Sequence, residues 1–330
     1  MPKNSRLSYF RAGLNAFLAS AVLFFSFLTP TALANESYLV TEGFTGKVLF
    51  ELDADKKRPV ASLTKIATAM VVLDWAALSK TSLAETAVVP EGAATLGGSN
   101  PMAMIPGDVI SLREAMYSML LGSDNVAAYT LAEHVGQSIQ SRSGGSSPQV
   151  AFLGEMQNLA KNLGMTRTKF ANAHGMDLAK QRGYSTARDI ARLTIYAMRD
   201  TGFQFYVKQS SRKVSYSRAG KQRAFKVKNI HPLVGQGDVN GVKGGQTVLA
   251  GECAATSSEK KAIVQKLESG ATRLTGRRLI VITLGSADRW GTTKALITQG
   301  WTAYDKWRAE GSPVTRAGEL LVVPELRQIF

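Results

Sequence analysis

The hydrophobic positions of this chain follow one spacing near its two ends and another in its middle. Near the ends, apolar and β-branched residues form short runs that predict β-strands. These runs are Ser37–Val40, Lys47–Glu51, Gly241–Leu249, Glu252–Ser257 and Arg278–Leu284. In the middle, apolar residues recur three and four positions apart, which predicts helices. The predicted helices begin near Ser62 and cover Leu112–Leu121, Asn125–Val135, Val150–Leu163, Thr186–Met198 and, after the last strand, Trp290–Glu310.

Two polar segments interrupt this pattern. Phe203–Val227 is basic and rich in β-formers, which predicts an exposed hairpin, and Gln140–Pro148 predicts a surface loop. Strands at both ends with helices between them favour an α+β fold. We therefore expect one antiparallel sheet built from both chain ends, with a helical region inserted between its strands.

The first 34 residues have the three parts of a secretory signal peptide. Lys3, Arg6 and Arg11 form a basic start, residues 16–28 are apolar, and residues 32–34 (A-L-A) place small side chains where a signal peptidase reads. The apolar run is about 13 residues long, whereas a membrane-spanning helix needs about 20. We predict a signal peptide over residues 1–34 and export to the periplasm or cell envelope, with an uncleaved anchor as the alternative.

Composition narrows the choice of partners and cofactors. The formal charge is +15, with three of the cations in the leader, so we expect attraction to the polyanions of a cell envelope. The basic residues are scattered and match no nucleic-acid-binding motif, which argues against a nucleic-acid partner. Cys253 is the single cysteine, so no internal disulfide forms, and its apolar surroundings predict a buried strand residue. His134, His174 and His231 lack metal-ligand spacing, so we expect neither a metal nor another cofactor.

Ser62 and Lys65 stand three positions apart at the start of the first predicted helix and therefore share one face. A serine hydroxyl becomes a good nucleophile when a base takes its proton. A lysine amine can be that base if burial and neighbouring positive charge keep it neutral. The helix start also supplies free backbone N–H groups, which favour developing negative charge. Taken alone, the pair also fits a helix cap followed by a solvated lysine.

Two further motifs could complete such a site. Residues 123–125 (S-D-N) lie in a break between two predicted helices, where Ser123 could relay a proton and Asn125 could hold a peptide; the alternative is a helix N-cap. Residues 243–245 (K-G-G) lie within a predicted strand, which glycine weakens unless something must approach the backbone closely. Lys243 would add positive charge to the site, and the alternative is a strand end followed by a turn.

The order of the three motifs matches the pattern of penicillin-binding proteins and class A β-lactamases. The flanking sequence resembles the D-alanyl-D-alanine carboxypeptidase family, the low-molecular-mass penicillin-binding proteins. The resembling segments follow one another in family order over nearly the whole chain after the leader. They are PVASLTKIAT around Ser62, MLLGSDNVAAYTLAEHVG around Ser123, LGMTRTKFANAHGM at 163–176, GYSTARDIARL at 183–193, NGVKGGQTVLAGEC at 240–253 and LIVITLGSADR at 279–289.

This resemblance implies a β-lactamase/transpeptidase-like fold and a serine-type D-Ala-D-Ala carboxypeptidase that acts on peptidoglycan stem peptides. Ser62 would attack the carbonyl between two D-alanines, Lys65 would be its base, and Ser123 would pass the proton to the departing amine. Water would then release the shortened peptide. A β-lactam antibiotic, by contrast, would acylate Ser62 and stay.

By the same resemblance, substrate binding involves Asn125, Lys243, Gly245, Gln246 and Thr247. Asn125 would hold the peptide of the substrate, and Lys243 would tune Ser123 and attract the terminal carboxylate. The backbone N–H groups of Ser62 and Gln246 would form the oxyanion hole.

Three features depart from the family pattern, the first of which is that residues 123–125 read S-D-N where many carboxypeptidases read S-G-N. Gly244 stands where the family usually has Thr or Ser, whose hydroxyl helps to bind the substrate carboxylate. Losing one such hydrogen bond costs about 1.5–3 kcal/mol, and Thr247 or a nearby arginine could compensate. The chain also stops short of the C-terminal β-domain and membrane helix of larger members. We expect a catalytic domain over residues 35–310, a tail over 311–330 that forms a strand or docks, and no stable membrane anchor after signal cleavage.

Two alternatives stay open. A β-lactamase would need a carboxylate that activates the deacylating water, and residues 140–185 contain no E-x-x-L-N-like segment. A catalytically impaired wall-binding or penicillin-sensing protein is favoured only by Gly244. Turnover of a D-Ala-D-Ala peptide distinguishes the peptidase from the sensor, and turnover of penicillin identifies a β-lactamase.

Overall fold

The structure is a computed structural model that describes residues 36–177 and 182–325. The signal peptide predicted over residues 1–34 lies outside these described residues. The strands are β1 (Ser37–Glu42), β2 (Val48–Leu52), β3 (Thr86–Val88), β4 (Val109–Ser111), β5 (Ser211–Arg218), β6 (Lys221–Lys228), β7 (Val239–Thr247), β8 (Gly251–Lys266) and β9 (Thr272–Ser286). The helices are α1 (Thr64–Ser79), α2 (Leu112–Leu121), α3 (Asn125–Ser143), α4 (Pro148–Asn162), α5 (Ala187–Ala197), α6 (Thr201–Val207) and α7 (Arg289–Ala309).

Five strands form one antiparallel sheet in the order β2-β1-β9-β8-β7. β1 comes from the start of the chain and pairs with β9 near its end, with Ser37 opposite Leu284. This arrangement confirms the α+β fold and the predicted sheet built from both chain ends. β7 lies at one edge of the sheet and pairs there with β8, with Gly245 opposite Cys253.

The two faces of this sheet are covered by different helices, because neighbouring side chains of a strand point to opposite faces. On one face, Val40 packs with Val281 and with Leu296 of α7. On the other face, Leu39 belongs to the main core, and α5 contacts β1, β8 and β9. Burial on both faces explains why residues 279–284 of β9 are almost all apolar rather than alternating.

α1 is the central helix of the inserted region and confirms the helix predicted to begin near Ser62. It follows a 3-10 turn at Ala61–Leu63, and its residues from Thr64 to Ala76 are buried. It packs against α2, α3, α4 and α5, which explains why apolar residues cover most of its faces. Within the described residues, Ala61–Ser79 is the one helix long and apolar enough to cross a membrane, and its burial is that of a core helix.

Two predicted segments are partly wrong. Thr201–Val207 forms α6 rather than part of a hairpin, because the Asp200 side chain caps it by accepting a hydrogen bond from Phe203 N at 2.8 Å. β5 and β6 then form the hairpin predicted within Phe203–Val227 and join β3 and β4 in a second, four-stranded sheet. The segment predicted as a loop over Gln140–Pro148 begins as helix, since α3 continues to Ser143.

The C-terminal part of the chain adds a ribbon and a docked tail. β8 and β9 extend beyond the sheet as a two-stranded ribbon in which Lys266 pairs with Thr272, although the sequence predicted only the inner halves of these strands. In the tail, Leu321 N donates to Gly46 O at 2.9 Å, and the Leu321 and Val323 side chains are buried. The domain limits 35–310 and 311–330 stay predictions.

Candidate active site

A cleft opens where the start of α1, the loop between α2 and α3, and the edge strand β7 meet. Its lining includes five of the predicted site residues, which are Ser62, Ser123, Asn125, Gly245 and Gln246. Arg289, the first residue of α7, lines it as well. The three sequence motifs are therefore brought together in one cleft, although long stretches of chain separate them.

Ser62 lies in the 3-10 turn before α1, beside an unusual backbone conformation. Ala61 has a φ of 48°, a left-handed conformation that is uncommon for a residue with a side chain. Such strain persists where the surrounding structure holds it, and it clusters at functional sites. Lys65 Nζ lies 3.1 Å from Ser62 Oγ, so the predicted pair is in hydrogen-bond contact.

Two further oxygens determine how the Lys65 amine is oriented. Its Nζ lies 2.7 Å from Asn125 Oδ1 and 2.6 Å from His174 O. A neutral amine has two N–H groups and one lone pair. Both of these oxygens can only accept, so they take the two N–H groups and leave the lone pair facing Ser62 Oγ. In the neutral state, the Ser62 hydroxyl therefore donates to Lys65, which is the geometry that a general base requires.

The charge state of Lys65 follows from its burial. The side chain has no solvent exposure, and desolvation lowers the pKa of Lys65 to about 7, against an opposing effect of the nearby Asp124. Burial is thus the cause of the shift, as the sequence predicted. Repulsion between cations, the second expected cause, acts between Lys65 and Lys243 and lowers the pKa of Lys243. Near pH 7, a substantial fraction of the molecules carries the neutral amine.

The S-D-N motif satisfies both of its sequence interpretations. Asp124 is the N-cap of α3, and its Oδ1 accepts a hydrogen bond from Ala127 N at 3.0 Å. Ser123 is almost buried, with a left-handed φ of 59°, and it lines the cleft. Asn125 Nδ2 donates to Gly97 O at 2.8 Å, which leaves its Oδ1 for the lysine. The helix cap therefore holds the two flanking side chains at the cleft.

The K-G-G motif of β7 forms the opposite wall. Lys243 is buried, and desolvation, followed by repulsion from Lys65 and Arg289, lowers the pKa of Lys243 well below its usual value. Its Nζ donates to the carbonyl oxygen of the next residue at 3.0 Å. A Cβ atom at Gly245 would lie 2.8 Å from Ser62 N. The close approach that a strand glycine predicts is therefore present at the nucleophile.

The remaining predicted residue and one unpredicted residue lie near the end of β7. Thr247 Oγ1 accepts a hydrogen bond from Ala250 N at 3.1 Å and so supports the β7–β8 turn. Arg289 lines the cleft although the sequence did not single it out by number, and a nearby arginine was one of the two candidates to compensate for Gly244. Its Nη1 donates to Gly245 O at 2.6 Å, and no described residue accepts a hydrogen bond from its Nε.

The histidines and Cys253 have structural surroundings. Burial, followed by Lys65, lowers the pKa of His174 to about 3, so its ring is neutral and its Nδ1 accepts from Met176 N at 3.2 Å. Cys253 is buried in β8, as predicted, and burial raises the pKa of its thiol to about 11. In the part of the chain that the structure describes, no group of three or more His, Cys, Asp or Glu side chains could hold a metal ion.

Comparison with known proteins agrees with this geometry. The family described as D-alanyl-D-alanine carboxypeptidase (Peptidase S11) matches residues 26–267. The chain is 28% identical over 310 residues to D-alanyl-D-alanine carboxypeptidase DacC of Escherichia coli strain K12. This alignment covers 87% of this chain and 69% of DacC. The chain is 37% identical over 165 residues to the D-alanyl-D-alanine endopeptidase of Pseudomonas aeruginosa, which covers 49% of this chain and 47% of that protein.

A solved structure shares the fold. Penicillin-binding protein D2 of Listeria monocytogenes, in its ampicillin-bound form, is similar with a TM-score of 0.65 and 25% sequence identity. The similarity covers 81% of this chain and 97% of that one. Together with the cleft, these matches establish that the chain belongs to the D-alanyl-D-alanine carboxypeptidase family of serine peptidases.

Proposed function

We propose that this serine peptidase cleaves the terminal D-Ala–D-Ala bond of peptidoglycan stem peptides through an acyl-enzyme on Ser62. One observation carries the proposal: the buried Lys65 Nζ lies 3.1 Å from Ser62 Oγ and 2.7 and 2.6 Å from two carbonyl oxygens. In the neutral amine these carbonyl oxygens take the two N–H groups and leave the lone pair for Ser62 Oγ. A lysine held in this way is oriented as a base rather than as a solvated cation.

Acylation begins when Lys65 takes the hydroxyl proton of Ser62 as Oγ attacks the carbonyl carbon of the penultimate D-alanine. The backbone N–H groups of Ser62 and Gln246 stabilise the negative oxygen of the tetrahedral intermediate. The proton then passes from Lys65 through Ser123 to the nitrogen of the terminal D-alanine. The C–N bond breaks, free D-alanine leaves, and the shortened peptide stays on Ser62 as an ester.

Deacylation repeats these steps with water as the nucleophile. Lys65 takes a proton from the water, whose oxygen attacks the ester carbonyl. The ester bond to Ser62 breaks, Ser62 Oγ regains a proton from Lys65, and the shortened peptide departs. Asn125 holds the peptide through its side-chain amide during both half-reactions.

Recognition of the terminal carboxylate falls to the cationic wall of the cleft. Lys243 is buried and its pKa is lowered well below its usual value, so Arg289, which lines the cleft, is the charge offered to a carboxylate. A guanidinium presents paired donors to a carboxylate, so Arg289 compensates for the hydroxyl that Gly244 lacks. Thr247 is the second candidate, because its oxygen accepts a hydrogen bond from Ala250 N and its O–H is left free to donate.

The same nucleophile reacts with β-lactam antibiotics, which acylate Ser62 and leave slowly. Among the described residues that line the cleft, none is an aspartate or glutamate that could activate a deacylating water. A peptidase inhibited by penicillin therefore fits this cleft better than a β-lactamase. The substrate is a cell-wall peptide and the leader predicts export, so the enzyme acts in the periplasm or cell envelope.

The test is release of D-alanine from a pentapeptide that ends in D-Ala-D-Ala. We expect turnover by the wild-type protein and loss by about 10⁴-fold or more in Ser62→Ala, because without the nucleophile only binding and oxyanion stabilisation remain. Ser269→Ala, at an exposed turn far from the cleft, is the matched control. Folded wild-type protein without turnover would overturn the proposal and favour the wall-binding or penicillin-sensing alternative.

A second reaction is supported by the 37% identity to an endopeptidase. The acyl-enzyme on Ser62 is the same whether the departing amine belongs to free D-alanine or to a cross-linked second peptide. A cross-linked dimeric muropeptide in the same assay measures this activity. The ratio of the two rates then gives the balance between the carboxypeptidase and endopeptidase reactions.

A further inference from the structure

Position 244 faces away from Ser62, toward an aromatic side chain. Successive residues of a strand point to opposite faces, so Gly245 approaches the nucleophile while Gly244 is directed to the other side of β7. A Cβ atom at Gly244 would lie 3.1 and 3.2 Å from two ring carbons of Trp290, and 3.9 Å from Ile230 Cδ1. The first two distances are a few tenths of an ångström shorter than ordinary van der Waals contact, so the indole would have to shift to admit a side chain at position 244.

Trp290 also contacts Arg289, which lines the cleft, and the buried ring of His231. The guanidinium carbon of Arg289 lies 4.7 Å from the centroid of the Trp290 ring, which is the distance of a cation–π contact. The ring of His231 lies 4.6 Å from the indole at an angle of 56°. His231 is buried, and burial, followed by the nearby Lys243, lowers its pKa to about 3. The indole of Trp290 therefore lies against β7 at Gly244, against the Arg289 guanidinium and against the His231 ring.

We propose that Trp290 is a positioning residue of this active site. Its indole fills the side-chain space at Gly244 and holds Arg289 at the cleft, where the guanidinium takes over the role of the missing hydroxyl. The indole of Trp290 then requires a residue without a side chain at position 244, so the effects of substitutions at Gly244 and Trp290 depend on each other. This inference rests on the proposed function only in that the carboxylate bound by Arg289 is that of the substrate.

This proposal and a simple loss of the hydroxyl predict opposite changes in activity when Thr or Ser is restored at position 244. If Gly244 were only a missing hydrogen bond, restoring Thr or Ser would raise activity. If the indole fills this space, Gly244→Thr displaces the indole, and Arg289 loses its support. Restoring the family residue then lowers activity, and the loss is relieved when Trp290 is made smaller.

The experiment is a double-mutant cycle on the full chain with Gly244→Thr, Trp290→Leu and the two combined. Rates of acylation by a fluorescent penicillin, kcat and KM for D-alanine release, and melting temperatures are measured for each protein. We expect Gly244→Thr to lower kcat/KM about tenfold. Trp290→Leu should raise KM by about three- to tenfold with little change in kcat, because the cation–π contact of Arg289 is lost.

The double variant should be at least as active as Trp290→Leu alone, so that the threonine is harmful only beside the indole. Trp290→Phe, which keeps an aromatic face for Arg289, should retain most of the activity. Trp307→Leu is the matched control, since Trp307 lies near the other end of α7, with its Nε1 donating to Pro313 O. Activity of Gly244→Thr equal to or above wild type, or additive effects in the cycle, would overturn the proposal.

Melting temperatures separate this inference from the proposed function. If the wild-type protein shows neither turnover nor acylation, the proposed function fails, but the contact between positions 244 and 290 is still tested. If Gly244→Thr does not fold, Gly244→Ala replaces it, because its Cβ alone makes the short contact. The alanine should lower the melting temperature beside Trp290 and have no such effect in Trp290→Leu. An equal change in both backgrounds would contradict the inference.

Discussion

The two walls of the cleft differ in how completely their polar groups are already bonded. The helical wall consists of the turn Ala61–Leu63, α1 and residues 123–125, and the sheet wall consists of β7 and Arg289. On the helical wall, Lys65 has three oxygen neighbours within 3.1 Å, and the Asn125 amide is held through both its oxygen and its nitrogen. On the sheet wall, Arg289 keeps an Nε without a partner among the described residues.

This difference separates chemistry from recognition. Groups that are fully bonded before substrate arrives need no reorganisation during the reaction, which favours the transition state. A guanidinium that lines a cleft can offer its remaining N–H groups to an anionic ligand. Substitution of Lys65 on the helical wall should therefore lower kcat, whereas substitution of Arg289 on the sheet wall should raise KM. The following changes test this division in order of decreasing effect.

Lys65→Met should have the largest effect on the helical wall. Loss of a general base costs about 10²–10⁴-fold in rate, so we expect kcat for D-alanine release to fall by that factor while KM changes little. Lys161→Met, on the exposed part of α4, is the control that removes a lysine elsewhere. A rise in KM without a loss of kcat would place Lys65 in recognition and break the comparison.

The pH dependence of acylation should follow the same lysine. The base must be neutral, and burial lowers the pKa of Lys65 to about 7, so the neutral fraction rises as pH rises through that value. Below pH 7, kcat/KM should fall about tenfold per pH unit, and above it the profile should level off. Penicillin acylation rates between pH 5 and pH 9 measure this. A rate that is constant from pH 5 to pH 8 would show that Lys65 is not the titrating base.

Arg289→Leu, on the sheet wall, should lower kcat/KM less than Lys65→Met does on the helical wall. Removing a charged hydrogen-bond donor to a carboxylate costs about 1.5–3 kcal/mol, which corresponds to about a ten- to hundredfold loss of kcat/KM carried by KM. Arg289→Lys keeps the charge but not the paired donors, so its kcat/KM should lie between those of the wild type and Arg289→Leu. Kinetics with a peptide amide at the C-terminus give the sharper contrast, because without the carboxylate the variants should no longer differ from wild type.

Much of the fold could be predicted because its pattern is local. The helix of Ser62 and the apolar core strand over residues 279–284 follow from hydrophobic spacing alone, and both are present. β3 and β4 were missed because three-residue strands carry too little pattern to detect. α6 was missed because its signal is the cap at Asp200 rather than composition, and its β-forming aromatic residues favoured a strand.

The site was predicted by motif order, whereas its electrostatics required the fold. Ser62, Ser123 and Asn125 were identified because the motifs carry them. Arg289 carries no motif, and the sequence alone could not select it among the many arginines, since its place depends on where α7 begins beside β7. The reason for Gly244 was equally hidden, because Trp290 lies far along the chain and contacts it only through the tertiary fold.

The pairing of Ser37 with Leu284 has a consequence for when this protein becomes an enzyme. β1 cannot gain its central neighbour until β9 is available, and pairing between such distant parts of a chain slows folding because closing the long loop costs entropy. Lys243 and Arg289 arrive on the same late segment. The nucleophile and its base therefore precede the second wall along the chain, and the cleft is complete only when the residues up to Arg289 are in place. A chain that ends before Thr272 should neither unfold cooperatively nor react with penicillin.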